Sequence, residues 1–229
     1  MFVSFLIELL KKTTYISLMA LLFFSLMSFS HSAKKLEEQD QEIRELSRNI
    51  KNYESAMKID SVRAQAIEKV LGIINRYNRA LSDSLKYEIA NEIFSMSVKY
   101  SNLDINLICA TITHESARTW RPDIVSPAGA NGLMQIMPHT GRFLSRHEGI
   151  PWTSTQEILH NPIYNIRMGC RYLSMLIELY NVDGGLAAYN GGERRAARWL
   201  ASGRDNEVLY EETRSYVPAV LELYDHYKK

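Results

Sequence analysis

The sequence predicts a mainly α protein, and three observations carry that expectation. From Tyr87 onward, apolar residues recur at helical spacing in one segment after another. No series of alternating apolar and polar runs suggests strands, and no internal repeat occurs. The stretch from Lys34 to about Ser84 is charged, helix-favouring and free of proline. A chain of 229 residues with 46% hydrophobic content can bury a sizeable core in one or two domains. Its 27 basic and 26 acidic side chains nearly cancel, with no long run of either sign. Nucleic acid is therefore not an expected partner, because such binders normally carry a clustered basic patch.

Taken in order, residues 1–33 come first. Met1 to Phe29 holds three charges, Glu8, Lys11 and Lys12, and then the apolar run YISLMALLFFSLMSF from Tyr15 to Phe29. Two lysines before such a run, with Ser30 and Ser32 behind it, read as a signal peptide with a cleavage site. Counted with its flanks, the run also nears the roughly 17–20 residues needed to span a bilayer. Signal peptide and retained membrane anchor both stand, residues 13–32 being the anchoring segment in the second case. Either way, export to the periplasm or cell envelope is expected. No cysteine adjoins the run, which excludes a lipoprotein anchor.

Residues 34–86 read as a helical linker. Leu36, Ile43, Leu46, Ile50, Tyr53 and Met57 fall near heptad spacing, but Gln39 and Asp60 interrupt the pattern. Only two heptads are complete, short of the three to four that define a coiled coil. The segment is either a short coiled coil that self-associates through residues 36–57, or a helix lying against the following domain; the second reading is the simpler. Residues 87–229 form the third region. Helical patterns cover Tyr87–Tyr100, Asn106–Ser116, Pro138–Arg146, Asn165–Tyr180, Gly185–Tyr189, Glu193–Ala201 and Glu211–Tyr227, with Pro122, Pro127, Gly129, Gly132 and Pro151 in the loops. The two cysteines, Cys109 and Cys170, sit in apolar helical patterns and read as buried free thiols, with a disulfide between them the open alternative in an exported protein.

The phosphate-binding, nucleophile-elbow and zinc motifs are all missing, and the six histidines have no metal-ligand spacing. No metal or cofactor is expected. What remains is Glu115, at the end of CATITHES. It lies three residues after Ile112 and seven after Ile108, on their apolar stripe. Burial there disfavours the carboxylate and raises its pKa above about 4.3. A carboxyl still protonated near neutrality is what glycosidic cleavage needs, because the leaving oxygen must receive a proton.

Further motifs follow in order: SPAGANGLMQIMP from Ser126 to Pro138, NPIYNIRMGCRYL from Asn161 to Leu173, AAYNGG from Ala187 to Gly192 and ETRSYV from Glu212 to Val217. Together with Glu115-Ser116, this order and spacing resembles the catalytic domain of the soluble-type (family 1) lytic transglycosylases. The resemblance covers about Tyr87 to Tyr227 and implies a lysozyme-like α-helical domain. It also implies cleavage of the β-1,4 bond between N-acetylmuramic acid and N-acetylglucosamine in peptidoglycan strands. By that resemblance Glu115 is the catalytic acid, and Ser116, the serine that follows it, is counted among the substrate-binding residues. Gly132, Met134 and Gln135 belong to a glycine-led substrate loop, where Met134 and Gln135 would touch the sugars. Tyr189 and Asn190 would line the cleft, and Glu212 would meet the stem peptide. Pro127, Asn131 and His114 decorate these motifs at positions the chemistry does not obviously need.

The residue types make sense on their own terms. Gly132 permits close backbone approach and positive φ, and Gln135 offers both donor and acceptor to sugar hydroxyls. Met134 and Tyr189 would supply apolar surface for a sugar face. A plain structural role is open for each, as a core methionine or a core tyrosine. His114 should face away from Glu115, being rotated about 100° from it.

Most glycosidases pair two carboxylates. Asp123, Glu148, Asp183, Glu193 and Glu212 sit in no motif that makes one of them a second catalytic group. In the family resembled, the muramic acid C6 hydroxyl closes onto C1, leaving a 1,6-anhydro end and consuming no water. Glu115 would then be the sole acid and base. The alternatives are a goose-type-lysozyme-like hydrolase and a non-catalytic peptidoglycan-binding module.

Overall fold

A computed structural model describes residues 2–229. Eight helices follow one another: α1 Phe2–Tyr77, α2 Asp83–Lys99, α3 Ile105–Glu115, α4 Pro138–His147, α5 Thr155–Leu159, α6 Pro162–Gly191, α7 Glu193–Ala201 and α8 Glu211–Lys228, with one 3₁₀ turn at Asn206–Val208. Among the described residues there is no strand, only isolated bridges pairing Val125 with Asn131 and Asn131 with Ile136. The mainly α class expected from the sequence is what forms.

The chain divides into two units, Met1–Asp60 and Ser61–Lys229. In the first, the side chains from Leu18 to Phe29 stand exposed. The hydroxyls of Thr14, Ser17 and Ser25 bond back to carbonyls three or four residues earlier. That leaves few polar groups unpaired along an apolar run, as a lipid-facing helix requires. α1 is long and apolar enough to cross a membrane.

The second unit holds the core, and it begins earlier than the boundary drawn at Tyr87. Ile67, Val70 and Ile74, spaced three and four apart, are buried against the rest of this unit. Residues 61–86, read from the sequence as linker, thus belong to the packed domain. Composition hid this, because helix-favouring charged residues continue unbroken through the boundary. Ser82 caps α2 through Leu85 N–H, and Ile89, Ile93 and Met96 carry its buried stripe. Each fully buried Ile or Leu contributes about 1.5–3 kcal/mol.

α6 is the central helix. Asn161 caps it by accepting from Ile163 and Tyr164 N–H, Pro162 takes its first position, and Ile166, Cys170, Leu173 and Leu176 are buried along it. It is interrupted at Asn181, with φ 60° and ψ −178°, which is why the sequence reads as two helices there. Just beyond the interruption, Asp183 pairs with Arg204 at 2.7 Å and accepts from Gly184 N–H at 2.9 Å. The short α5 was not anticipated; five residues are too few to show a helical period.

Candidate active site

α3 carries the candidate acid, and its two ends are fixed by capping. Asp104 accepts from Asn106 and Leu107 N–H at 2.8 and 2.9 Å, and itself receives the Tyr224 hydroxyl at 2.7 Å. At the other end, Arg118 N–H bonds Thr113 C=O and Ala117 N–H bonds His114 C=O. This is a Schellman turn whose αL position is filled by Ala117, φ 49°, instead of the usual glycine. The turn stops the helix at Glu115.

Behind that turn runs a chain of buried donors. Trp120 Nε1 donates to the Thr113 hydroxyl at 3.0 Å, Thr113 pairs with the Tyr227 hydroxyl at 3.0 Å, and Tyr227 donates to Tyr77 at 3.2 Å. Ser116 is fully buried, and its Oγ accepts from Trp120 N–H at 3.1 Å. It was expected to bind substrate. Its hydroxyl is instead committed to holding the turn that ends α3.

Glu115 is half-buried. Burial lifts its carboxyl to about 8; the Tyr216 hydroxyl pulls it down and the Glu212 charge pushes it up. A helix C-terminus disfavours a carboxylate in the same direction. Tyr216 is buried to 1% exposure, and its hydroxyl makes no hydrogen bond of ordinary geometry. The charge it responds to most, after its own burial, is Glu115. The Tyr216 ring meets His114 edge-on, 4.8 Å between centroids. Burial, then the nearby Arg118, holds His114 below its ordinary pKa. Tyr216 lies in the ETRSYV motif, yet sequence reasoning gave it no role. Only the fold brings α8 beside the end of α3.

The loop from Ile124 to Met137 is organised by Asn165, a second residue that sequence reasoning missed. Fully buried on α6, Asn165 donates to Asn131 and Leu159 carbonyls, each at 2.9 Å, and accepts from Met134 N–H at 2.8 Å. Gly132 lies against it with φ 79°, and a Cβ there would collide with the Asn165 amide. Met134 is fully buried, its sulfur over Gly169, where a Cβ would strike it. Met134 was expected to touch sugars; its side chain is instead a core peg. Its carbonyl accepts the Tyr189 hydroxyl at 2.8 Å, which ties the loop to α6.

Gln135, half-buried and with φ 47°, donates its amide to Gly132 C=O at 2.8 Å and Ile124 C=O at 3.3 Å. That use of both protons leaves its Oε1 as an acceptor. Tyr189 is half-buried, tilted against Tyr172 at 5.4 Å; burial, then the Glu115 charge, holds its hydroxyl well above the ordinary range. Asn190 donates to Glu212 at 3.1 Å and accepts from Thr213 at 2.7 Å, which pins the end of α6 to α8. Gly191 allows that approach, since a Cβ would stand 2.7 Å from the Thr213 hydroxyl.

The remaining acids are mostly committed elsewhere. Glu148 is held by Lys99 at 2.9 Å, Arg171 at 2.9 Å and the Tyr100 hydroxyl at 3.2 Å. Asp123 pairs with Arg121, and Asp183 with Arg204. Glu212 is exposed and acts on Glu115 through its charge alone. The structure therefore gathers Glu115, Tyr189, Tyr216, Asn190 and Glu212, with Gln135 one residue beyond the carbonyl that Tyr189 grips. This group can offer one protonated carboxyl, aromatic surface and amide groups.

Comparisons with known proteins bear on the family of the chain. Residues 92–209 match the family model described as Transglycosylase SLT domain. The chain is 35% identical over 147 residues to the soluble lytic murein transglycosylase of Escherichia coli strain K12, covering 60% of this chain and 22% of that protein. It is 34% identical over 114 residues to the membrane-bound lytic murein transglycosylase C of Histophilus somni strain 2336, covering 45% of this chain and 31% of that one. Among solved structures, an inactive glutamate-to-glutamine mutant of the lytic transglycosylase Slt from Pseudomonas aeruginosa superposes with a TM-score of 0.52 at 34% identity, over 59% of this chain and 23% of that one. The 70-kDa soluble lytic transglycosylase in complex with bulgecin A gives 0.51 at 30% identity, over 62% and 25%. The chain thus spans a third or less of the length of these relatives.

Proposed function

The chain belongs to the transglycosylase SLT domain family, and from that premise we propose that it is a peptidoglycan lytic transglycosylase with Glu115 as its sole acid and base. Glu115 donates its proton to the glycosidic oxygen as the bond from that oxygen to C1 of N-acetylmuramic acid breaks. Charge builds on the sugar ring, and the acetamido group of the same residue is placed to share it. The C6 hydroxyl then attacks C1, the new C1–O6 bond closes the 1,6-anhydro ring, and its proton passes to the Glu115 carboxylate. The acid is restored and no water is consumed.

The observation that carries this reading is the single enclosed carboxyl. Its pKa of about 8 keeps it protonated at neutral pH, whereas the other carboxylate of the group, Glu212, is exposed and accepts from Asn190. Tyr216 adds a donor for the carboxylate formed midway, its hydroxyl being otherwise unpartnered. In the Pseudomonas relative, replacing one glutamate by glutamine leaves the protein inactive. Gln135 Oε1, the Tyr189 ring and Asn190 would line the glycan path, with Glu212 at the stem peptide. Ser116, Gly132 and Met134 serve the site from behind by shaping the helix end and the loop.

The proposed place of action is the cell envelope, with residues 13–32 holding the chain to the membrane when uncleaved. Support comes from the exposed apolar helix and from relatives named as membrane-bound. Digestion of purified peptidoglycan followed by mass spectrometry tests the chemistry. Anhydro-ended muropeptides are expected. Products one water heavier would instead indicate a hydrolase, and an absence of any product would indicate a binding module.

A further inference from the structure

Residues 36–57 carry an apolar seam that the chemistry above does not use. Leu36, Ile43, Ile50 and Met57 occupy position a of successive heptads, and Leu46 and Tyr53 occupy position d. All six are between 51% and 72% exposed. Outside those positions, every residue from Glu37 to Ala56 is polar or charged, apart from Ala56 itself. Positions b, c and f hold Glu37, Arg44, Lys51, Glu38, Glu45, Asn52, Gln41, Arg48 and Ser55, nine polar side chains around the back of the helix. A helix so charged on every other face does not lie in lipid, and a confined stripe of this kind marks a protein partner.

We propose that the partner is a second copy of this chain, paired through residues 36–57 as a parallel two-stranded coiled coil. The seam is self-complementary in composition. β-Branched Ile43 and Ile50 at a, with Leu46 at d between them, is the arrangement that favours two parallel strands. In that arrangement position g of one copy meets position e of the next heptad in the other. Lys35 then faces Asp40, Glu42 faces Ser47, and Asn49 faces Glu54, so one pair attracts and none repels. The same register continues through Ile67, Leu71 and Ile74, but those side chains pack into the Ser61–Lys229 core. The free seam therefore ends near Met57, where Asp60 takes the next d position. This inference does not rest on the proposed reaction.

Single cysteines introduced along the seam of the full chain, in detergent or in vesicles, test it. Cys109 and Cys170 are fully buried, so the introduced thiol is the reactive one. Ile43→Cys, Leu46→Cys and Tyr53→Cys should each form disulfide-linked dimers under mild oxidation. Arg48→Cys and Ser55→Cys at position f should do so roughly tenfold less. Equal cross-linking at all positions, or none at the seam, would overturn the proposal. Cross-linking confined to the middle of the seam would overturn the parallel arrangement. Sedimentation equilibrium gives a second measure: Leu46→Asp should weaken dimerisation at least about tenfold while leaving lytic activity per chain unchanged. A full chain that sediments as a monomer at about 50 μM would also overturn it.

Discussion

Glu115 and Glu148 are both glutamates drawn out of water, and the fold treats them in opposite ways. Burial pushes both carboxyls toward the neutral form. Around Glu148, Lys99, Arg171 and Tyr100 outweigh that push and hold its pKa below the usual range. Around Glu115 no cation answers; the Glu212 charge adds to the push, and one tyrosine hydroxyl opposes it. The first arrangement clamps the end of α4 to α2 and α6, and the second stores a proton at the end of α3. On the proposed mechanism, the acid without a cation is the functional one, and the acid held by cations is structural.

The widest separation between the two should appear in catalysis. Glu115→Gln keeps the shape but removes the proton, and peptidoglycan clearing should fall by at least about 10³-fold, or about 4 kcal/mol of barrier. Glu148→Gln should leave the activity of the folded fraction unchanged. A turbidity assay on both variants checks this, and clearing that persists in Glu115→Gln would show the acid misassigned.

Stability against pH should separate them next. The Glu115 carboxyl has a folded pKa of about 8 against an ordinary value of 4.5. Above pH 4.5 the unfolded chain loses this proton while the folded chain keeps it, so folding loses stability as pH rises from 4.5 to about 8. Glu115→Gln should therefore melt above the unmutated protein at pH 8–9, with the two converging near pH 4. Glu148 has the opposite sign: its lowered pKa stabilises above the ordinary value, and that gain disappears as pH falls through the folded pKa. At neutral pH, Glu148→Gln should cost about 2–3 kcal/mol, discounted for the part-exposed Lys99 and Arg171. Chemical denaturation at pH 7 measures it.

Smaller effects sharpen the picture. Tyr216→Phe removes the hydroxyl that lowers the Glu115 pKa, so the pH–rate limb due to Glu115 should move upward and kcat should fall more than KM changes. An unchanged limb would mean that Tyr216 only packs. Met134→Leu should cost under about 1.5 kcal/mol and leave KM alone, because Met134 fills a notch over Gly169 and does not meet sugar. A raised KM would return Met134 to the cleft wall.

Much of this was legible from local pattern. The spacing of Ile108, Ile112 and Glu115 placed an acid on an apolar face, and that face is buried up to Thr113. The helical periods placed the longer helices within a few residues. Features that depend on distant partners were not legible. Met134 becomes core because Gly169 leaves room for it, and Gly132 is needed because Asn165 fills the space a Cβ would take. Ser116 is spent on Trp120, four residues on, through a turn whose αL positions fall on alanine and arginine. Ile67 and Ile74 resume the heptad register of residues 36–57 after Asp60, and the charged, helix-favouring composition runs on, so the sequence reads as one continuous linker where the packed unit in fact begins.

The central claim is that Glu115 waits protonated. Carbon-13 NMR of glutamate-labelled protein, with the Glu115 carboxyl resonance assigned by its loss in Glu115→Gln, tests it most directly. The account predicts a titration midpoint near 8; a midpoint near the ordinary 4.5 would contradict it.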